Sequence, residues 1–424
     1  MEKTKILAAA FAALLLSGCG TVDPAQTVTA NPVSRSVNLT EKLTAQTVTT
    51  QAPDDAFRNA HAQFALGLLQ KTAEQNSGKN LLISPYSVMQ ALGMAANGAA
   101  GDTRTCMEQT LGGLPVDRLN AYLASWRQNQ PDTAGCQVST ANSVWYRSGF
   151  SVKPDFLQQT VDYYDAGAFV RDFSAPQTCD DVNKWIDKRT KHMIPRMLDS
   201  IQPESVMLLI NAVSFDAKWS EEYEPGSFKE RTFYAADGTE QTVQMMYSTE
   251  YGLLSDGDAV GFMRPYSGGR YYFAALLPDE NTSVENYLAG MTAERLRDVF
   301  RSADYSREVQ AGLPKFSYEY GTDLMETLSG MGMALAGTPA ADFSAMTDST
   351  EPVYINKVLH RARIEVAEDG TKAAAATVAE MKCGAAITEI EPVYVILDRP
   401  FLFAIYDSQN ELPVFLGVLN SVTE

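Results

Sequence analysis

Histidine is nearly absent from this 424-residue chain, which carries only His61, His192 and His360. His61 lies in a helical pattern and His192 in a basic, polar stretch. Neither has an i, i+4 partner or an H-E-x-x-H frame, so a zinc hydrolase lacks its ligand set. Cysteine is sparse too: five are present and none forms a C-x-x-C pair, which removes zinc-knuckle and thioredoxin-type chemistry. There is no G-x-S-x-G elbow and no phosphate loop. "GFMRPYSGGR" carries glycines without that pattern and reads as a turn between strands. Basic residues are outnumbered, 34 Lys and Arg against 52 Asp and Glu, leaving a net charge of -18. A nucleic-acid partner needs the opposite balance. Carboxylate pairs such as Glu221-Glu222 then belong to a solvated acidic surface. Nothing in this inventory supports an enzyme, a metal site or a bound cofactor.

The N-terminal apolar run is short. Ile6 to Leu16 follows Lys3 and Lys5, falls below the length of a membrane span, and ends in Leu16-Ser17-Gly18-Cys19. This ending resembles the bacterial lipobox. It implies a signal peptide over 1–18, lipidation of Cys19, and an exported protein lipid-anchored at the bacterial cell envelope, on the outer membrane or cell surface. Several acyl chains hold a membrane more firmly than one. Residues 19–54, rich in Thr, Val, Ala, Gln, Asn and Pro, read as a flexible tether. Cys106, Cys136, Cys179 and Cys383 have no pairing legible from spacing. Cys383 is expected as an exposed free thiol.

From Asp55 onward no composition shift marks a second domain. Phe57, Phe64, Leu68 and Leu69 recur at helical spacing, and Ser84-Pro85 opens another helix after the apolar run Leu81–Ile83. Helical stretches are expected through roughly Asp165. Strand-like runs follow, among them "SVMLLINAVSFDAKW", "RYYFAALLP", "ARIEVA" and "PFLFAIYD". Helices mixed with long strands predict one large α+β domain over 55–424.

Five stretches together resemble the serpin family of serine- and cysteine-protease inhibitors: "NLLISPYSVMQALGMAANGAAGDT", "LLINAVSFDAKWSEEY", "LPKFSYEYGTDL", "INKVLHRARIEVAEDGTKAAAAT" and "RPFLFAIYD...LPVFLGVL". They occur in the family's order from about Asp55 to the C-terminus. The resemblance implies a single domain with three β-sheets, about nine helices and an exposed reactive-centre loop over about 368–392. It implies a suicide inhibitor of serine proteases, with cysteine proteases as an alternative class. The cleaved loop inserts into the main sheet and drags the acylated protease with it. The likeness places Ser84, Ser87, Asn211 and His360 in a polar cluster beneath the sheet opening. It places Trp219 where the loop first enters. Ala217 stands where the family usually has glycine.

Residue physics supports the hinge. With Gly370 as the pivot, Thr371, Ala373, Ala375, Thr377, Ala379 and Met381 share one strand face, all small or uncharged. Lys372, Ala374, Ala376, Val378, Glu380 and Lys382 share the other, which takes every charge. Insertion requires this sorting, since an unpaired buried charge costs several kcal/mol or more. The hinge therefore comprises Glu368, Asp369, Gly370, Thr371, Lys372, Ala373, Ala374, Ala375, Ala376 and Thr377. Asp369 replaces the family's usual glutamate, and Lys372 stands where glutamate is common but points outward.

Family spacing from Gly370 reaches Gly384-Ala385 as the bait bond, with Met381, Lys382 and Cys383 as alternatives. Spacing back from Pro400 lands near Glu389, so candidate bonds run from 381 to 389. Gly384 and Ala385 favour an elastase-like or subtilisin-like target, and Lys382 a trypsin-like one. The expected partners are a target protease and a membrane through the lipid anchor, with the inhibitor a monomer. The alternative is a non-inhibitory lipoprotein of the same fold, acting as a binding or structural module.

Overall fold

The computed structural model describes residues 37–133, 135–371 and 391–423. Along the chain the elements are β1 (Val37–Asn38), α1 (Asp55–Gln75), β2 (Leu81–Ile83), α2 (Pro85–Ala96), α3 (Gly101–Thr110) and α4 (Val116–Gln128). Next come β3 (Asp132–Thr133), β4 (Cys136–Arg147), α5 (Pro154–Tyr164), β5 (Gly167–Arg171), α6 (Pro176–Arg189) and β6 (Met207–Lys218). The middle holds β7 (Phe228–Tyr234), β8 (Glu240–Glu250), β9 (Gly252–Ser255), β10 (Ala259–Pro265), β11 (Tyr271–Pro278), α7 (Val284–Ala289) and α8 (Ala293–Arg301). The last part holds β12 (Val309–Pro314), β13 (Phe316–Asp323), α9 (Met325–Leu328), β14 (Val358–Val366), β15 (Gly370–Thr371), β16 (Val393–Ile396), β17 (Phe401–Asp407) and β18 (Leu412–Leu419).

These make three sheets and nine α-helices among the described residues, in one mixed α+β domain. Sheet A runs β1-β5-β4-β6-β14-β13, with β3 on β4 and β15 on β6. Sheet B runs β2-β18-β17-β11-β10-β9, and sheet C runs β16-β12-β8-β7. The main core includes α2, where every residue is buried, together with both strands of the β17–β18 hairpin. A second core, with Trp145, Val182, Ile186, Leu208 and Ile210, packs α6 onto sheet A.

Local signals explain several boundaries. Ser84 caps α2 by accepting from the Ser87 N–H, and Pro85 occupies the first turn, where its missing N–H costs nothing. Of the "GFMRPYSGGR" glycines, Gly268 and Gly269 sit in the β10–β11 turn at φ +85° and +67°, whereas Gly261 lies within β10 and pairs with Leu276.

Two expectations need correction. The helical reading through Asp165 missed β4, a twelve-residue strand paired with β6 along eleven positions. Its polar residues Gln137, Ser139, Thr140, Asn142 and Ser143 hide the apolar alternation that marks a strand. The tether assigned to 19–54 does not extend that far. Val37 and Asn38 pair with β5, Gln46 donates its N–H to Asp162 at 2.8 Å, and Gln51 donates its own to the Ala121 carbonyl. This stretch docks by backbone hydrogen bonds, which leave no hydrophobic pattern. Residues 1–36, on which the expected signal peptide and the lipidation of Cys19 fall, lie outside the described residues.

Asp54 ends that stretch and caps α1, accepting from the Phe57 N–H at 3.0 Å and the Tyr122 hydroxyl at 2.6 Å. The Tyr122 bond foremost holds its carboxyl below the usual range. Asp54→Ala is expected to cost about 1–2 kcal/mol at neutral pH in denaturant unfolding. The ionised cap is favoured in the fold, so this difference is present above the ordinary carboxylate range. It disappears as pH falls through the lowered native value.

Candidate functional site

The site is the seam between β6 and β14. These strands run parallel and pair only over Leu209–Ala212 and Val358–Arg361. Above Arg361 no ladder joins them among the described residues. β6 is fully paired to β4 on its far side, and β14 to β13. At the top of the seam, Gly370 and Thr371 pair antiparallel with Lys218 and Ala217. A strand thus begins between the two at the upper end.

Its start is fixed by a tight turn. Ala367 and Gly370 exchange backbone hydrogen bonds at 3.0 and 3.4 Å. Gly370 adopts φ +144°, and a Cβ there would lie 2.4 Å from the Ala217 carbonyl, so only glycine fits. Trp219 donates its indole N–H to the Ala367 carbonyl at 2.8 Å and its backbone N–H to the Asp369 carbonyl at 3.3 Å. The Tyr223 N–H reaches the Glu368 carbonyl at 3.1 Å. Lys315 and Glu368 form an ion pair at 2.6 Å, which holds the Glu368 carboxyl below its ordinary value. Both partners are substantially exposed, so the pair adds little stability.

Thr371 is 3% exposed, and its hydroxyl lies 2.8 Å from the Tyr266 hydroxyl. Beside it is a small apolar cavity lined by Leu82, Phe215, Arg363, Ile364, Ile405 and Phe415. Residues 368–371, expected as the start of an exposed loop, are instead held at the sheet top, with Gly370 and Thr371 buried. The hinge from Lys372 through Ala373, Ala374, Ala375 and Ala376 to Thr377 lies outside the described residues. So do the bait candidates Met381, Lys382, Cys383, Gly384 and Ala385.

At the foot of the seam the structure brings Ser84, Ser87, Asn211 and His360 together. His360 and Asn211 face each other across β14 and β6. The Ser87 hydroxyl donates to Asn211 Oδ1, and the Ser84 hydroxyl donates to the Val414 carbonyl at 2.8 Å. His360 Nε2 accepts from the Ser84 N–H at 3.3 Å. Sequence reasoning missed Asn142 and Gln90, which continue the network. Asn211 donates to Asn142 Oδ1, and Asn142 donates to Gln90 Oε1 at 2.7 Å. All six side chains are buried.

Elsewhere, His61 is buried in α1, and His192 bonds Asp187 at 2.7 Å. Cys106, Cys136 and Cys179 are free thiols. Among the described residues no group of three or more His, Cys, Asp or Glu side chains could hold a metal. No helix there is long and apolar enough to cross a membrane.

Burial keeps His360 neutral, with its pKa pushed down to about 4, and His61 to about 3. Both titrate near 6.5 once unfolded, so the native state is fully favoured above that value and loses ground as pH falls toward 4. Between about pH 6.5 and 5 the loss from His360 alone is roughly 2 kcal/mol. Urea unfolding across that range should show the decline, and His360→Gln should flatten it by about this amount; an unaltered slope would show that His360 is not the linked group.

Comparison with known proteins agrees with this architecture. The family model described as Serpin (serine protease inhibitor) matches residues 59–422. The thermophilic serpin Tengpin in its native state superposes with a TM-score of 0.85 at 38% identity, covering 91% of this chain and 100% of its own. In its latent state the TM-score is 0.77 at 36% identity, with 88% and 100% covered. The leukocyte elastase inhibitor of Bos taurus is 30% identical over 374 residues, spanning 85% of this chain and 98% of that protein. With the family match running almost the length of the domain and the sheet seam in place, the chain belongs to the serpin family, whose members are generally protease inhibitors.

Proposed function

We propose that the protein is a suicide-type inhibitor of serine proteases that traps its target by inserting the cleaved loop between β6 and β14. One observation supports the reading: Gly370 and Thr371 pair antiparallel with β6 at the mouth of a seam that is unpaired among the described residues. Continuing the alternation puts Ala373, Ala375 and Thr377 on Thr371's face, toward the apolar interior.

The chemistry belongs to the protease. Its serine oxygen adds to the carbonyl carbon of the bait residue, and the C–N bond breaks. The new amine leaves with a proton, and the loop stays attached as an acyl ester. Insertion then competes with attack of water on that ester. Gly384-Ala385 is the proposed bond, with Met381, Lys382 and Cys383 as alternatives. The small residues favour an elastase-like or subtilisin-like target, and Lys382 a trypsin-like one. The leukocyte elastase inhibitor among its relatives supports the first. Cysteine proteases are a second target class.

The anchor completes the proposal: processing after residue 18, lipidation of Cys19, and a monomeric inhibitor held at the outer membrane or cell surface. The lipobox-like ending at Cys19 supports it.

The test is incubation with elastase-, subtilisin- and trypsin-like proteases, followed by denaturing gels and mass spectrometry of the released C-terminal peptide. A denaturant-stable covalent complex is expected. Cleavage with no complex would favour the binding or structural module. Thr371→Arg places a cation where 3% of the side chain is exposed, so the variant is expected to be cleaved without trapping. Undiminished complex formation by that variant would sink the insertion mechanism.

A further inference from the structure

Glu250, ending β8, and Arg264, in β10, form an ion pair at 4% and 5% exposure. Arg264 Nη1 donates to Glu250 Oε1, which also accepts from the Ser248 hydroxyl at 2.6 Å. Nη2 donates to the Glu221 carbonyl at 2.5 Å. The guanidinium lies 3.9 Å from the Tyr223 ring centroid and 5.0 Å from that of Trp219. Those residues are the ones that hold the carbonyls of Ala367, Glu368 and Asp369. One continuous network therefore joins Glu250 to the turn where the loop begins.

We propose that the Glu250–Arg264 pair is a positioning element for loop insertion: through Trp219 and Tyr223 it seats the turn at 367–370 and sets how fast the loop zips into the sheet. The proposal rests on the inhibitory reading above. A buried pair is a poor device for stability alone, because desolvation cancels much of its attraction. Its planar fork instead fixes a guanidinium against two rings and a carbonyl at once, which an aliphatic side chain does not do. With the turn seated, Gly370 and Thr371 form a ready nucleus and residues add one by one. With the turn loose, each attempt must first close the loop onto β6 again.

The charged and titratable groups facing Glu250 are few. Arg264 comes from β10, Glu221 and Tyr223 from the segment after β6, and Ser248 from β8 itself. From β12, Val309 stands opposite Glu250, with Arg307 and Glu308 just before it in the chain. Burial pushes the Glu250 carboxyl up despite Arg264. Acid neutralises it and leaves the guanidinium unpaired. An adjoining cavity of about 230 Å³, lined in part by Glu221, Tyr251, Tyr272 and Tyr305, gives Arg264 room to turn away from the rings.

The experiment uses full-length wild type and Glu250→Gln. The readout is the amount of inhibitor consumed per protease trapped, taken as the variant-to-wild-type ratio so that the protease's own pH dependence cancels. The expected ratio is about fivefold near neutral pH, falling to one as acid neutralises Glu250 in the wild type. A ratio of one throughout overturns the proposal, as does a raised ratio that ignores pH, which marks a merely structural defect. If Glu250→Gln fails to fold, Arg264→Lys keeps the charge but loses the fork and is read in the same way. A wild type that is cut but never traps overturns the inhibitory reading and this inference with it. A wild type that traps, with a ratio of one, overturns the inference alone.

Discussion

Two parallel strands that meet for only four residues organise the rest of this molecule. β6 and β14 share register from Leu209 to Ala212 and then part, each fully paired on its outer side. Backbone donors and acceptors facing the seam need partners, because an unpaired buried peptide group costs as much as a lost hydrogen bond. A strand running antiparallel to both neighbours supplies them. A segment leaving the top of β14 through a tight turn arrives in that direction, and the turn at 367–370 provides it.

The requirements on that segment follow from its destination. Gly370 is forced by the closeness of the β6 backbone. Small side chains are forced on Thr371's face because the core beneath the seam, with Phe215, Ile405 and Phe415, is already packed. Charges are tolerated only on the other face. Insertion as proposed would also disturb the second core, where α6 lies on the sheet, and approach the polar row of Asn142, Asn211 and His360. In that row Asn211 bonds Asn142, and His360 accepts from the Ser84 N–H at the foot of the opening. Among the described residues the sheet stays open between β6 and β14 above Arg361, with Gly370 and Thr371 on β6 at its upper end.

What could be read from the sequence depended on whether the information was local. Helix caps such as Ser84-Pro85 and the hinge glycine depend on neighbours in the chain, and they are legible. β4 was not, because a central strand carrying Asn142 and Ser143 breaks the apolar alternation. Gln90 and Asn142 joined the polar cluster unseen for the same reason: their partners are 52 and 69 residues away. Arg264 lay in a stretch read as a turn and Glu250 drew no reading at all, yet both are buried, and no periodicity announces such a pair. The docking of residues 37–54 uses backbone bonds, to which composition is blind.

Amide hydrogen exchange along the seam tests the central claim most directly. Before cleavage, the seam-facing amides of residues 213–216 and 362–366 should exchange readily, because no ladder among the described residues protects them. After a cut within 381–389, the same amides should gain protection by several orders of magnitude, approaching the stability of the whole fold. Thermal stability should rise with them. If exchange across both segments is unchanged after the loop is cut, the loop does not enter the sheet and the account fails.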